Sequence, residues 1–540
     1  MQDSSYDVVV LGTGAAGLVA ALAAHEQGAS VGLFEKGDVV GGTTALSGGI
    51  VWIPNNAHAA AAGLADSRED ALAYLDSLSL GMIDPDLAAT LVDTGPDVVR
   101  WLEATTPLRF EVVRGYPDYH PEHPGGKPGG GRSLDPGLFN YVELGEWADR
   151  VARASSVPRL RLLEIPLGGG SGTIDAAAQD ERDRLDARGR GHALVGALLA
   201  ACLERGIEPV TGARAIELVR EEGRVTGVRF DSDAPRPEVT ARRGVVLATG
   251  GFEWDAELVR TFLRGPMTSP TTIPTNTGDG LRMALGAGAA LGVMGEAWWV
   301  PTAEIPGEKL YGQQRARLIL RERTLPGSIM VNRKGRRFAN EAANYNAFGG
   351  ALHQLDPSRF EFANLPCWLV FDGAYLGRYG FVDTAPGAVA PAWVTTAPTL
   401  EELAESIGVD ATGLVATVAR WNQLVDKGHD DDFGRGDSAY DGWSGDQRHL
   451  GSPQATIGPL LEPPFHAVEI HSGALGTKGG ARTNGDGQVL DFDGRPITGL
   501  YAAGNAMAAP TGMVYGGAGG TLGPAIVFGY RAGRHAATAE

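Results

Sequence analysis

The chain has 540 residues, enough for two or more domains, and carries a formal net charge of −19. That acidity, without a cluster of Lys and Arg, excludes nucleic acid as the main partner. The 78 glycines are about twice the usual share, but they follow no three-residue period in a chain that is 43 % hydrophobic; collagen and disorder are both excluded.

Residues 1–5 are polar and an apolar run, Tyr6–Leu11, follows at once, which leaves no room for a signal peptide and predicts a cytoplasmic protein. No stretch approaches the ~18 apolar residues of a membrane span, so any membrane contact is peripheral. The run Tyr6–Leu11 reads as a buried parallel strand, 15–27 as a helix and 30–34 as the next strand, together a βαβ unit.

Between strand and helix stands Gly12-Thr13-Gly14-Ala15-Ala16-Gly17. Gly12 permits the tight turn, Gly14 lets the backbone approach a pyrophosphate, Gly17 allows close helix–strand packing, and the helix start offers N–H groups to phosphate. Glu35, followed by Lys36, ends the second strand where an acid accepts both ribose hydroxyls. Further motifs favour FAD over NAD. Gly41-Gly42-Thr43-Thr44 and Ser47-Gly48-Gly49 follow directly. Thr249-Gly250-Gly251 and Gly504-Asn505 end strands, Gly278-Asp279-Gly280 opens a helix, and Thr521-Leu522 begin the last one. Such glycines let backbone lie against a large flat cofactor. No second GxGxxG marks a separate NAD(P)H domain.

Helices are predicted near 67–80, 86–104 and 190–206, a hairpin within 209–231 and a strand at 245–248. Composition changes near residue 293. A hairpin about Asn332–Gly335, a helix over 399–426 and an Asp- and Gly-rich surface loop over 426–452 are predicted beyond it. Arg315–Arg323 reads as a solvated helix face and Asp430–Asp432 as solvated. From 463 the strand-and-glycine texture returns. The fold class is therefore α/β: a Rossmann-type FAD-binding domain from 1–292 and 463–540, with an α+β catalytic domain, 293–462, inserted. Cys202 and Cys367 read as buried thiols, and no motif predicts a metal.

Together these motifs resemble the flavoprotein family that contains the fumarate reductase and succinate dehydrogenase flavoprotein subunits and the 3-ketosteroid dehydrogenases. Gly476-Thr477-Lys478-Gly479-Gly480 lacks the His of the fumarate reductases, and Gly41–Gly49 lacks the His that attaches FAD covalently in succinate dehydrogenases. The resemblance therefore implies non-covalent FAD, and Lys478 reads as structural or surface. Those residues and Tyr515-Gly516-Gly517-Ala518-Gly519-Gly520-Thr521 look like the 3-ketosteroid Δ1-dehydrogenase branch. That implies a 3-ketosteroid substrate, an external acceptor such as a quinone, and a site made from Tyr119, Tyr345, Tyr515 and Gly519, with Tyr116 the rival of Tyr119. A related enzyme acting at the steroid 4,5-bond or on another cyclic ketone is the alternative; a flavin protein without turnover is a third.

The chemistry suits these residues. Desaturation beside a ketone removes an α-proton and a β-hydride. Tyr515 O–H and Gly519 N–H would hold the ketone oxygen, with no side chain at 519 to block it. Tyr345 would take the proton, and Tyr119 would support its phenolate. Trp298, Trp299, Phe348 and Met513 are candidates for either an apolar pocket or core.

Overall fold

The computed structural model describes residues 4–154 and 156–539. Its larger sheet has four central parallel strands in the order Val31–Phe34, Ser5–Leu11, Glu238–Leu247, Pro496–Ala502. Val8, Val9 and Val10 are fully buried, as expected for β-branched residues covered on both faces. Helix Ala15–Glu26 packs on this sheet, and helix Leu522–Thr538 packs on that helix. Glycines set the approach: a Cβ at Gly529 would lie 2.5 Å from the Ala16 carbonyl oxygen, and one at Gly533 2.2 Å from that of Ala20. Each pair is four residues apart, so the two helices touch backbone to backbone along one face. The expected hairpin is Ala215–Glu221 with Arg224–Phe230, turned at Glu222 and Gly223.

The second sheet is antiparallel and runs Gln313–Leu318, Ala297–Leu310, Phe465–Thr477, Cys367–Asp372, Ser328–Asn332. Alternation divides its strands between two cores. Ile329, Val331, Trp368 and Val370 face one cluster, and Met330, Leu369 and Phe371 face another. Its central strand, Phe465–Thr477, lies past residue 462, so this sheet reaches beyond the segment expected for the insertion.

Four local expectations are corrected. Ser328–Asn332 pairs with Cys367–Asp372 rather than folding back on 336–338, although the Asn332–Gly335 turn forms. Gly408, at φ 70°, divides the helix expected over 399–426 into Leu400–Ile407 and Ala411–Lys427. Arg315–Arg323 is not a helix face: Gln313–Leu318 is a strand, Arg317 grips Glu308 at 2.9 and 3.0 Å, and Arg323 is buried against the Glu341 carbonyl. Asp430 is fully buried and bonded to Arg337 at 2.8 Å, which itself binds Glu341 at 2.7 Å, while Asp431 and Asp432 stay exposed. Paired acids of this kind let residues 430–446 fold inward despite their composition.

Candidate active site

One cavity of about 610 Å³ is lined by glycine-rich strand ends on one side and by tyrosines on the other. Gly12, Gly14, Ala15 and Ala16 border it, with Glu35, Lys36, Gly42, Thr43, Thr44, Ser47, Gly48 and Gly49. So do Thr249, Gly250, Asp279, Gly504, Asn505, Thr521 and Leu522. Gly17, Gly41 and Gly251 do not. A Cβ there would strike the Gly12 carbonyl, Val195 and Thr477 respectively, so these three glycines serve packing. Lys36 and Asp279 engage each other at 2.7 Å, tying the second strand to helix Asp279–Gly286.

The residues fit FAD. Helices Ala15–Glu26 and Leu522–Thr538 both start at this cavity, with Thr44 Oγ1 accepting from Ala15 N–H at 3.0 Å, so their positive dipole ends lie at its wall. Gly42 and Gly48 leave open space where a Cβ would stand. Thr249 Oγ1 is buried at the wall with no partner among the described residues. Glu35 is buried, its two oxygens accepting from Thr13 and Gly37 N–H groups at 3.1 and 2.9 Å, and burial raises its pKa. Oε2 also accepts from the Thr13 hydroxyl at 2.5 Å, so Oε1 is the oxygen that keeps a lone pair for a ribose hydroxyl.

Four elements supply the aromatic side. Tyr119 O–H donates to the Tyr345 hydroxyl at 2.8 Å. Tyr515 packs edge-on to both, with ring centroids 5.1 and 5.5 Å away, and receives a hydrogen bond from Thr521 at 3.2 Å. Tyr116 lies in the same cluster against Trp443, at 5.5 Å. Tyr119, not Tyr116, holds the Tyr345 hydroxyl. Trp298 packs edge-on against Tyr515, whereas Trp299 packs against His353, and Phe348 is core; Met513 does not border the cavity. Burial raises every one of these phenols, Tyr345 and Tyr119 well above 10 and Tyr440 to about 12.

Two braces hold the tyrosines. Asn344 Oδ1 caps helix Tyr345–Leu352 through Ala347 N–H at 3.0 Å while its Nδ2 donates to His120 Nε2 at 2.9 Å. The loop bearing Tyr119 is thereby pinned to the helix bearing Tyr345. His120, Glu122 and His123 also come within 4.8 Å of one another on this loop, a grouping that no sequence motif marked. The second brace is Lys478, which is fully buried rather than at the surface. Its three protons go to Asn346 Oδ1 at 3.1 Å and to the Met513 and Val514 carbonyls at 2.5 and 3.0 Å, over the Trp298 ring at 4.1 Å.

Gly519 has φ 95°, and its carbonyl accepts from Trp52 and Gly523 N–H groups at 3.1 and 2.8 Å. A Cβ there would lie 2.6 Å from Ile50 O and Trp52 N, so backbone, not a ligand, is what a side chain would meet first. Tyr440 and Trp443, in the segment expected to be a surface loop, close the cluster from helix Ala439–Ser444.

A family model described as an FAD binding domain matches residues 7–522. The chain belongs to this FAD-binding flavoprotein family. Within it, the chain is 42 % identical over 538 residues to 4-oxocyclohexanecarboxylate 2-dehydrogenase of Sinomonas cyclohexanicum, covering 98 % of this chain and 92 % of that one. It is 39 % identical over 570 residues to 3-oxosteroid 1-dehydrogenase of Mycobacterium tuberculosis, covering 99 % of each. It also resembles the crystal structure of 3-ketosteroid delta1-dehydrogenase from Sterolibacterium denitrificans in complex with 1,4-androstadiene-3,17-dione. The TM-score is 0.91 at 36 % identity over 99 % of both chains. FAD is accordingly the cofactor of this flavoprotein. Among the described residues no helix is long and apolar enough to cross a membrane.

Proposed function

We propose that this flavoprotein desaturates a cyclic ketone next to its carbonyl, with 3-ketosteroid 1,2-dehydrogenation as the leading reaction. One observation carries the reading: the Tyr119 and Tyr345 hydroxyls meet at 2.8 Å in an apolar chamber that shares its cavity with the cofactor motifs. When bound, FAD supplies the acceptor for the hydride lost from the β-carbon. Tyr515 O–H and the Gly519 N–H hold the ketone oxygen, so that negative charge gathering there as the α-proton leaves is met by two donors. Tyr345 takes that proton, and the hydrogen bond from Tyr119 steadies the phenol oxygen as it changes charge. The surrounding aromatic walls exclude water. Turnover ends with an external acceptor, a quinone or similar, and the buried free thiols Cys202 and Cys367 accord with a cytoplasmic setting.

The phenol electrostatics give a signed pH dependence. Burial raises Tyr345 well above 10, so the phenol is held protonated at pH 7. The base fraction climbs with pH, and kcat/KM for the ketone is expected to rise steadily from pH 7 through pH 9 without levelling. A plateau below pH 8 rules Tyr345 out as the titrating base.

The test of the reading is anaerobic mixing of the yellow holoenzyme with androst-4-ene-3,17-dione. Bleaching of the flavin with formation of the 1,4-diene is expected, and an unchanged spectrum refutes the steroid reading. The second reading, a monocyclic oxo acid, is favoured by the 42 % identity to an enzyme named for 4-oxocyclohexanecarboxylate. The same mixing with that compound separates the two.

A further inference from the structure

Arg190 sits in the cavity wall in a conformation that glycine would adopt at less cost. Its φ is 57°, between Gly189 and Gly191, at the start of helix Arg190–Glu204. Left-handed backbone at a non-glycine residue costs free energy and persists where the side chain is needed. The location is fixed by Gly49: a Cβ on that glycine would lie 2.3 Å from the Arg190 carbonyl carbon, and Ser47, Gly48, Gly49 and Arg190 all border the cavity.

The guanidinium is poorly used by the protein itself. Of its five donors only Nε is engaged, at 3.2 Å from the Leu160 carbonyl, and among the described residues no carboxylate comes within 4.0 Å. Of the other four cations at this cavity, three face carboxylates. Lys36 holds Asp279 at 2.7 Å, Arg317 holds Glu308 and Asp383 at 2.9 and 2.6 Å, and Arg315 lies 3.6 Å from Glu308. Arg321 makes one bond, to the Gly445 carbonyl at 3.1 Å, and its buried Nε has no partner among the described residues; its backbone, unlike that of Arg190, is not left-handed. Burial lowers the pKa of Arg190 against the opposing pull of Asp135.

We infer that Arg190 receives the carboxylate of an acidic ketone, so that the substrate class is a cyclic ketone carrying a carboxylate at the end away from its carbonyl. A monocyclic oxo acid and a ketosteroid with an acidic side chain share this chemistry. A guanidinium with free donors takes a carboxylate through two parallel hydrogen bonds, which fixes orientation as well as charge. The inference rests on the ketone-dehydrogenation reading above and adds the group that orients the substrate.

The experiment measures kcat/KM of the holoenzyme on two acid and methyl ester pairs, 4-oxocyclohexanecarboxylate and 3-oxopregn-4-ene-20-carboxylate, with androst-4-ene-3,17-dione as a neutral ketone. In one pair the acid is expected to exceed its ester by about tenfold or more, and that pair identifies the source of the carboxylate. In Arg190→Gly, which relaxes the backbone, the acid-to-ester ratio is expected to collapse toward one, chiefly through KM of the acid; Arg190→Lys retains part of it. Flavin difference spectra give the acid's dissociation constant independently of turnover. Equal kcat/KM for acid and ester in the unaltered enzyme overturns the inference, as does a preference that survives in Arg190→Gly. A change in FAD affinity in that variant with an unaltered ratio assigns the guanidinium to the cofactor and also overturns it. Reduction by the neutral ketosteroid without acid preference leaves the dehydrogenation reading standing, whereas no bleaching by any of the five ketones defeats that reading itself.

Discussion

Tyr345→Phe is expected to keep FAD bound and to lose about 10²–10⁴-fold in turnover, the usual contribution of a positioned general base. Only one oxygen is removed. The ring stays wedged 5.3 Å from Tyr119 and 5.5 Å from Tyr515, so the pocket keeps its shape. What disappears is the acceptor of the Tyr119 O–H, leaving a buried hydroxyl unpaired at a stability cost of about 1–3 kcal/mol. Two measurements separate a lost base from a damaged site. Flavin absorbance should report full cofactor content, and exchange of the substrate α-proton with deuterated solvent should fall together with turnover. Turnover within threefold of the unaltered enzyme would remove Tyr345 as the base.

Lys478→Met is expected to lower kcat by about 10²-fold while leaving KM and FAD content nearly unchanged. Its three hydrogen bonds end on Asn346, next to Tyr345, and on Met513 and Val514, just before Tyr515. One ammonium therefore sets the spacing of the two tyrosines, and a displacement of about 1 Å is enough for such a loss. Methionine fills similar volume without donors, so the change removes the tie and the buried charge but not the packing. Methionine leaves Asn346 Oδ1 and the Met513 carbonyl without this donor, at a stability cost of about 1–3 kcal/mol that thermal denaturation reads out. A variant with unchanged kcat refutes the bracing role.

The nucleotide half was legible because its signals are local. A valine run, a glycine turn and an alanine-rich helix lie within the first 35 residues, and the structure pairs them as their order suggests. The tyrosines were legible only through their motif neighbours, since nothing local brings Tyr119, Tyr345 and Tyr515 together. The misreadings share a cause. Lys478 and Asp430 belong to residue types that normally stay in water, and each is buried here because distant groups satisfy it: Asn346 and the 513–514 carbonyls in one case, Arg337 in the other. Tyr440 was missed because its segment is dense in Asp and Gly, and the pairing of Ser328–Asn332 was missed because its true partner strand begins at Cys367.

The backbone contact between the first and last helices also bears on how the molecule is made. Strands beginning at Ser5, Glu238 and Pro496 lie side by side, and Gly529 and Gly533 seat the closing helix on Ala16 and Ala20. A ribosome delivers those contacts only after residue 522. Until then the N-terminal βαβ unit has an open sheet edge and an uncovered helix, while the second sheet is complete once residue 477 emerges. Such long loops between partners slow the assembly, and the cofactor cavity is complete only once Thr521 and Leu522 have emerged.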